Sequence, residues 1–251
     1  MPKDPVYDEI GKSYSLGRVP DSRWYESIRE ALGGANRIVN VGAGTGSYEP
    51  DDAQVLAIEP SPVMIAQRPA SAAPVIRATA EHLPVRNEWA EVSMALLSLH
   101  HWSDWRAGLR ELGRVAPRRV VLTYDPVGQG EFWLVRDYLP EVAAFDEARV
   151  PSIDAIAEIL GGEIEVRNLM IPWDTTDGVL PAHWRRPRAY LSPLVRSFCS
   201  GLSQSDQVVV ERGIAALARD LDDGSWNNRY GSLLDQETYD AGFRIVISNA
   251  E

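Results

Sequence analysis

Three glycines at alternate positions, Gly42, Gly44 and Gly46, follow directly on the apolar run Arg37-Ile38-Val39-Asn40-Val41. Glycine tolerates positive φ and lets a backbone come within van der Waals contact of a ligand, so a strand running into such a turn can hold a small molecule against its main chain. A second apolar run, Gln54 to Ile58, ends at Glu59, ahead of Pro60-Ser61-Pro62. If the two runs are neighbouring strands, Glu59 stands beside the glycine turn, where a carboxylate can accept both hydroxyls of a ribose. The implied chemistry is capture of a nucleoside cofactor. The dinucleotide fingerprint needs its third glycine three residues after the second; here residue 47 is Ser and the third glycine comes one residue early. That spacing, and the lack of a Tyr-x-x-x-Lys pair, disfavour a nicotinamide enzyme. His100 and His101 close a further apolar run, Val92 to Leu97. Imidazole titrates near neutral pH and serves as a general base or hydrogen-bond donor. Adjacent residues of a strand face opposite ways, so one of the pair is expected to reach the site.

These residues need a parallel sheet to bring them together. Short β-rich runs at 37–41, 54–58, 74–76, 92–97 and 119–124, bounded by Gly, Pro and Asp, read as its strands. Helical spacing falls between several of them. Ser22 to Leu32 carries Trp24, Tyr25, Ile28, Ala31 and Leu32 and stops at Gly33-Gly34; Trp105 to Val115 carries Leu109, Leu112 and Val115 and ends before Pro117. Ser152 is placed to cap a helix from Ile153 to Leu160. Further strands are expected at 163–170 and 243–247, with a helix from about Ser205 to Leu221. The stretch between, with Pro172, Trp173, Pro181, Trp184, Pro187 and Pro193, is too apolar for a disordered linker and reads as an insertion packed over the sheet.

Gly-x-Gly-Thr-Gly after a strand resembles motif I of the class I S-adenosylmethionine (SAM)-dependent methyltransferases. The resemblance runs on. Arg77-Ala78-Thr79-Ala80-Glu81-His82-Leu83-Pro84-Val85 is similar to the family segment after strand three, and Ala90 to Trp102 to strand four and its loop. Glu111-Leu112-Gly113-Arg114-Val115 resembles the helix before strand five. Tyr7-Asp8-Glu9-Ile10 with Tyr14 and Arg18 resembles the opening of ubiquinone-type and related small-molecule methyltransferases. The match covers about residues 5 to 125. It implies an α/β sandwich with a seven-stranded, mostly parallel sheet, helices on both faces, and SAM as cofactor with S-adenosylhomocysteine (SAH) as product. The cofactor contacts it implies are Tyr14, Arg18, Gly42, Ala43, Gly44, Gly46, Glu59, Pro60, Ala80, Glu81 and Leu97. It implies His101 or His100 beside the methyl group as the candidate catalytic residues. One departure is Asn40, where the family often has an acid that helps hold the methionine amino group; an amide accepts through its oxygen but brings no charge.

The expected layout is a single domain over 1–251: closing helices in 1–36, a cofactor core in 37–125, and acceptor caps in 126–150 and 172–202. Trp102, Trp133, Trp173 and Trp184 fall in or next to segments after strands four, five and six, where aromatic walls would suit a flat or apolar acceptor; packing of the insertion is the commoner use. The run His183-Trp184-Arg185-Arg186-Pro187-Arg188, with Arg196, would receive a carboxylate or phosphate or, more often, neutralise nearby acids.

The 251 residues include 25 Lys+Arg against 36 Asp+Glu, a net charge of −11 that argues against a dedicated nucleic-acid binder. A single cysteine, Cys199, fits a reducing cytoplasm. The first residues lack the apolar stretch of a signal peptide, and no run is long enough to span a membrane. No Cys or His pair has metal-ligand spacing, and no Gly-x-Ser-x-Gly occurs. The expected function is methylation of a small-molecule acceptor, a metabolite or natural-product intermediate, by a monomer or homodimer. The rivals are a non-catalytic SAM-binding relative, a nicotinamide oxidoreductase, and a methyltransferase of nucleic acid or protein.

Overall fold

The computed structural model describes residues 17–250, so Tyr14 lies outside the described residues. The central sheet comprises β1 (Arg37–Val41), β2 (Gln54–Ile58), β3 (Val75–Ile76), β4 (Val92–Leu96), β5 (Arg118–Tyr124), β6 (Glu163–Asn168) and β9 (Phe243–Asn249). Its order is β3-β2-β1-β4-β5-β9-β6. The first five strands are parallel, and β9 runs antiparallel between β5 and β6. A second, two-stranded sheet pairs β7 (Ile171–Pro172) with β8 (Thr238–Tyr239). The order reverses between β1 and β4, and such a switch point opens a crevice at the carboxyl ends of the strands.

Alternation along the strands divides the core between two faces. Ile38, Met94, Val120 and Leu122 face one cluster, with Trp24, Ile28 and Leu32 of α1 (Ser22–Leu32). Val39, Val41, Ala95 and Val121 face the other, with Leu109 and Leu112 of a later helix and Ile156 and Leu160 of another. Helix α1 begins at Asp21, whose side chain accepts from Arg23 N, and ends at Gly33 with φ of 65°. After α2 (Pro62–Ala66) and α3 (Trp105–Val115), three short helices follow β5: α4 (Pro126–Gly130), α5 (Trp133–Tyr138) and α6 (Pro140–Glu147). Helix α7 (Ile153–Leu160) is capped by Ser152 as expected.

The proline-rich segment is ordered by its prolines. They open 3₁₀ turns at Leu180–His183 and Pro187–Leu191 and the helix α8 (Pro193–Ser197), where a missing N–H costs nothing. Then come α9 (Ser200–Ser203), α10 (Gln207–Asp222) and α11 (Ser225–Tyr230). Among the described residues no helix is long and apolar enough to cross a membrane.

Trp133 and Trp184, expected to wall a substrate, are instead the core of this layer. They are 1% and 0% exposed. Trp133 packs edge-on against Trp226 and Tyr190, at centroid distances of 5.3 and 5.8 Å, and its Nε1 donates to Trp184 O at 3.0 Å. Trp184 stacks on Tyr239 and donates to Ile171 O at 3.1 Å. Burying two indoles with both N–H groups satisfied is a packing solution. Trp173 is 38% exposed and lies under the Arg185 guanidinium, 5.0 Å from its ring centroid. The basic run is likewise occupied within the layer: Arg185 donates to Gln236 O, Arg186 to Ala182 O, Arg188 to Asp222 and Arg196 to Glu211.

Candidate active site

The glycine turn is built so that only glycine fits. Gly42, Gly44 and Gly46 have φ of 71°, 52° and 93°. A Cβ on Gly42 would sit 2.5 Å from the Ser98 side chain, whereas one on Gly44 would meet only Met64, at 3.4 Å. Gly42 therefore lets β1 and the loop after β4 close together, and the turn at Gly44 stays open. Glu59, buried at the end of β2, accepts from Gly44 N and Ser61 N at 2.8 Å each. Gly44 N and Ser61 N hold one oxygen each, which orients the carboxylate at the end of β2 where a ribose would lie. Pro60 follows, its carbonyl taking Arg77 Nε at 3.2 Å.

Asn40 has a physical reason for not being an acid. Its Nδ2 donates to Glu49 Oε1 at 3.0 Å, and Glu49 forms a buried ion pair with Arg68 at 2.7 Å. Arg68 also donates to Gly44 O at 3.1 Å, clamping the turn from behind. A second carboxylate at position 40 would repel Glu49 at close range. Asn40 Oδ1 is buried and has no hydrogen-bond partner among the described residues. An orphan acceptor beside an open glycine turn and a buried carboxylate fits a cofactor that carries an amino group and a ribose.

The remaining cofactor-side residues are less uniform. Ala80 is buried near Gly108, where a Cβ would meet Trp102 at 2.4 Å and Ala80 at 3.2 Å. Trp102 Nε1 lies 3.4 Å from the Cβ position of Gly42. Trp102 thus packs on the glycine-turn side, not on the acceptor side where the sequence placed it. Glu81 accepts from Ser103 Oγ at 2.8 Å and Asp104 N at 3.1 Å, which fixes the loop ahead of α3. Arg18, expected at the methionine carboxylate, pairs with Asp177, which also accepts from Tyr48 OH at 2.7 Å. Tyr48 OH in turn accepts from Asp21 N at 3.1 Å, so this network joins residue 18, the glycine turn and the later insertion.

Over the carboxyl ends of β4 and β5, a cleft encloses about 570 Å³ of atom-free space, open mouth included. Leu97, His100, Tyr124 and Phe243 form its floor; Gln129, Asp146 and Arg149 come from the segment after β5, and Val179, Leu180, Phe198 and Cys199 from the later insertion. Leu97 is held at φ of 52°, a strained value for a branched side chain. None of Trp102, Trp133, Trp173 or Trp184 lines this cleft.

His100 lines the cleft and His101 does not, although the two rings are 3.9 Å apart. They sit on a 3₁₀ turn, Leu99–His101, not on a strand. Burial, reinforced by the charges of Arg149 and Arg18, pushes His100 down to about 3. Burial and the neighbouring His100 hold His101 well below its ordinary value. Both are neutral at pH 7 and weak proton acceptors. Asp146 behaves in the opposite way: burial raises it to about 6, against the lowering effect of its bond from Tyr124 OH at 3.2 Å. Tyr124 could have been found in the sequence, as the last residue of its strand. Asp146 and Arg149 could not, because Asp-Glu-Ala-Arg reads as an ordinary charged helix end.

Residues 39–121 match the methyltransferase-domain family. No curated protein matches the chain significantly. Among solved structures, a methyltransferase from an antibiotic biosynthesis pathway of Anabaena variabilis is 29% identical, with 93% of this chain and 99% of that one covered and a TM-score of 0.85. A SAM-dependent methyltransferase of Thermotoga maritima is 16% identical over 97% and 96% of the two chains, with a TM-score of 0.58. Geranyl diphosphate C-methyltransferase of Streptomyces coelicolor, solved with SAH, is 13% identical over 92% and 76%, with a TM-score of 0.53. The last two likenesses show the fold alone. With the strand order, the glycine turn and Glu59 already in place, residues 39–121 form a methyltransferase domain within a chain that has the class I methyltransferase fold, and these findings support SAM as its cofactor.

Proposed function

We propose that the protein methylates a small-molecule acceptor, a metabolite or natural-product intermediate, in the cytoplasm, and that the cleft over β4 and β5 is where the acceptor binds. The observation that carries this reading is the position of the cleft. It lies over the carboxyl ends of β4 and β5, β4 being the sheet neighbour of the strand that leads into the glycine turn, and is walled by apolar Leu97, Val179, Leu180, Phe198 and Phe243 around a few polar groups, as small-molecule sites are. A net charge of −11 and arginines already engaged within the chain do not suit a nucleic-acid substrate. The biosynthetic role of the Anabaena variabilis protein supports the same acceptor class.

SAM supplies a methyl group on a sulfonium that is already a good leaving group, so the protein's task is chiefly positioning. Glu59 would hold the ribose, and Asn40 Oδ1 and the Gly44 turn the methionine end. The segments 126–150 and 172–202 would act as the acceptor cap, keeping water from the reacting atoms. The test is SAH release from SAM in the presence of a panel of phenols, amines and carboxylic acids, with cleft variants such as Val179→Trp as controls. Turnover that Val179→Trp abolishes while SAH still binds supports the site. Turnover unchanged by filling the cleft places the acceptor elsewhere.

A further inference from the structure

Asp146 is 7% exposed and forms no ion pair among the described residues. Tyr124 OH gives its Oδ1 a hydrogen bond; among the described residues nothing hydrogen-bonds to Oδ2. The nearest cation, Arg149, is turned toward Gln204 Oε1 at 3.2 Å and the carbonyl of His100 at 3.4 Å. Two more groups in the same cleft lack partners among the described residues: Gln129 Oε1, on a side chain 6% exposed, and His100 Nδ1. An un-ion-paired carboxylate, an amide oxygen and a neutral imidazole around one apolar cleft all accept hydrogen bonds. They call for a ligand that brings donors.

Resting on the function proposed above, we propose that Asp146 is the catalytic base, with Tyr124 as its positioning residue, and that the acceptor therefore presents an O–H or N–H at the end of β5. As the acceptor's oxygen or nitrogen bonds to the methyl carbon, the carbon–sulfur bond breaks and its electron pair returns to sulfur. The proton of that O–H or N–H passes to Asp146 Oδ2 and leaves to water with the product. Geometry favours Asp146 over the histidines: it enters the cleft from α6, which follows β5, and β5 lies across β4 from the strand of the glycine turn, whereas His101 does not line the cleft and His100 sits on the turn after β4. The charged or titratable groups around the cleft are Tyr124 on β5, Arg149 after α6, His100 after β4, Cys199 of the later insertion, and the Arg18–Asp177 pair.

The experiment has two readouts on full-length protein saturated with SAH or SAM. The first is the carbon-13 titration of aspartate carboxyls with SAH bound, the Asp146 signal being the one lost in Asp146→Asn. The second is transfer of labelled methyl to phenol, catechol, benzylamine and histamine from pH 5 to 9. Asp146 titrating near 6, and a rise of kcat through that pH that disappears in Asp146→Asn with a loss of about 100-fold or more, support the assignment. Tyr124→Phe should move that limb upward, because the charged carboxylate loses its bond, while leaving SAH affinity unchanged. Asp146 titrating at 4 or below overturns the proposal, as does panel turnover insensitive to Asp146→Asn. If no panel compound is methylated, the titration alone decides. Failure of the wild type to bind SAH would instead count against the methyltransferase reading itself.

Discussion

Replacing Asp146 by Asn should change how stability depends on pH, and the structure sets both sign and size. In the unfolded chain the carboxyl titrates at its ordinary value of 3.8; buried beside Tyr124 it titrates at about 6. Between these values the native state holds more protons than the unfolded state, so the wild type loses stability as pH rises through this window. A shift of that size is worth about 3 kcal/mol in full, of which about 2.5 kcal/mol develops between pH 4 and pH 8. Asn has no charge to desolvate and escapes this loss. His100 and His101, depressed by burial, push the other way, favouring the native state as pH rises, but they are present in both proteins and largely cancel in the difference. Thermal unfolding of both proteins from pH 4 to 8 reads this directly. The melting temperature of Asp146→Asn should rise relative to the wild type by about 5 to 10 °C across the range. A constant difference, or one of opposite slope, would show that Asp146 is not desolvated and would remove the physical basis for its role as a base.

Other perturbations should separate cofactor holding from packing. Gly42→Ala meets both a positive φ and a 2.5 Å clash with Ser98, so it should cost about 2–4 kcal/mol in urea unfolding and abolish SAH binding. Glu59→Gln should weaken SAH binding about 10- to 100-fold by calorimetry, as charge-assisted bonds to ribose are lost. Arg68→Ala leaves Glu49 buried without its cation and should cost about 3–5 kcal/mol, read by denaturant melts; the double change with Glu49→Leu should recover part of it. Trp133→Ala should cost about 3–5 kcal/mol while leaving SAH affinity intact, since the side chain touches packing and not the site.

The cofactor half was legible because its requirements are local. A glycine turn after a strand and an acid at the end of the next strand are fixed by backbone geometry, and α1, α3 and α7 carry their own caps and apolar faces. The acceptor half was not, because its elements lack a readable period. Phe132, Trp133, Leu134 and Val135 are buried in succession, with Arg136 and Asp137 the exposed pair after them, so α5 shows no helical alternation of apolar and polar residues. The same burial explains why the tryptophans misled: large aromatics near strand ends serve as well to pack a cap as to line a cleft. Asp146 and Arg149 look like surface charges until tertiary structure covers them, and the pairing of Arg18 with Asp177 spans a separation that no motif encodes. The histidine pair was judged by strand alternation, which a 3₁₀ turn does not obey.

The most direct measurement is the calorimetric titration of SAH into wild-type protein with NADPH titrated in parallel. One saturable SAH site per chain and no heat from NADPH are expected. Heat from NADPH alone would make Glu59 and the glycine turn a dinucleotide site and contradict the account.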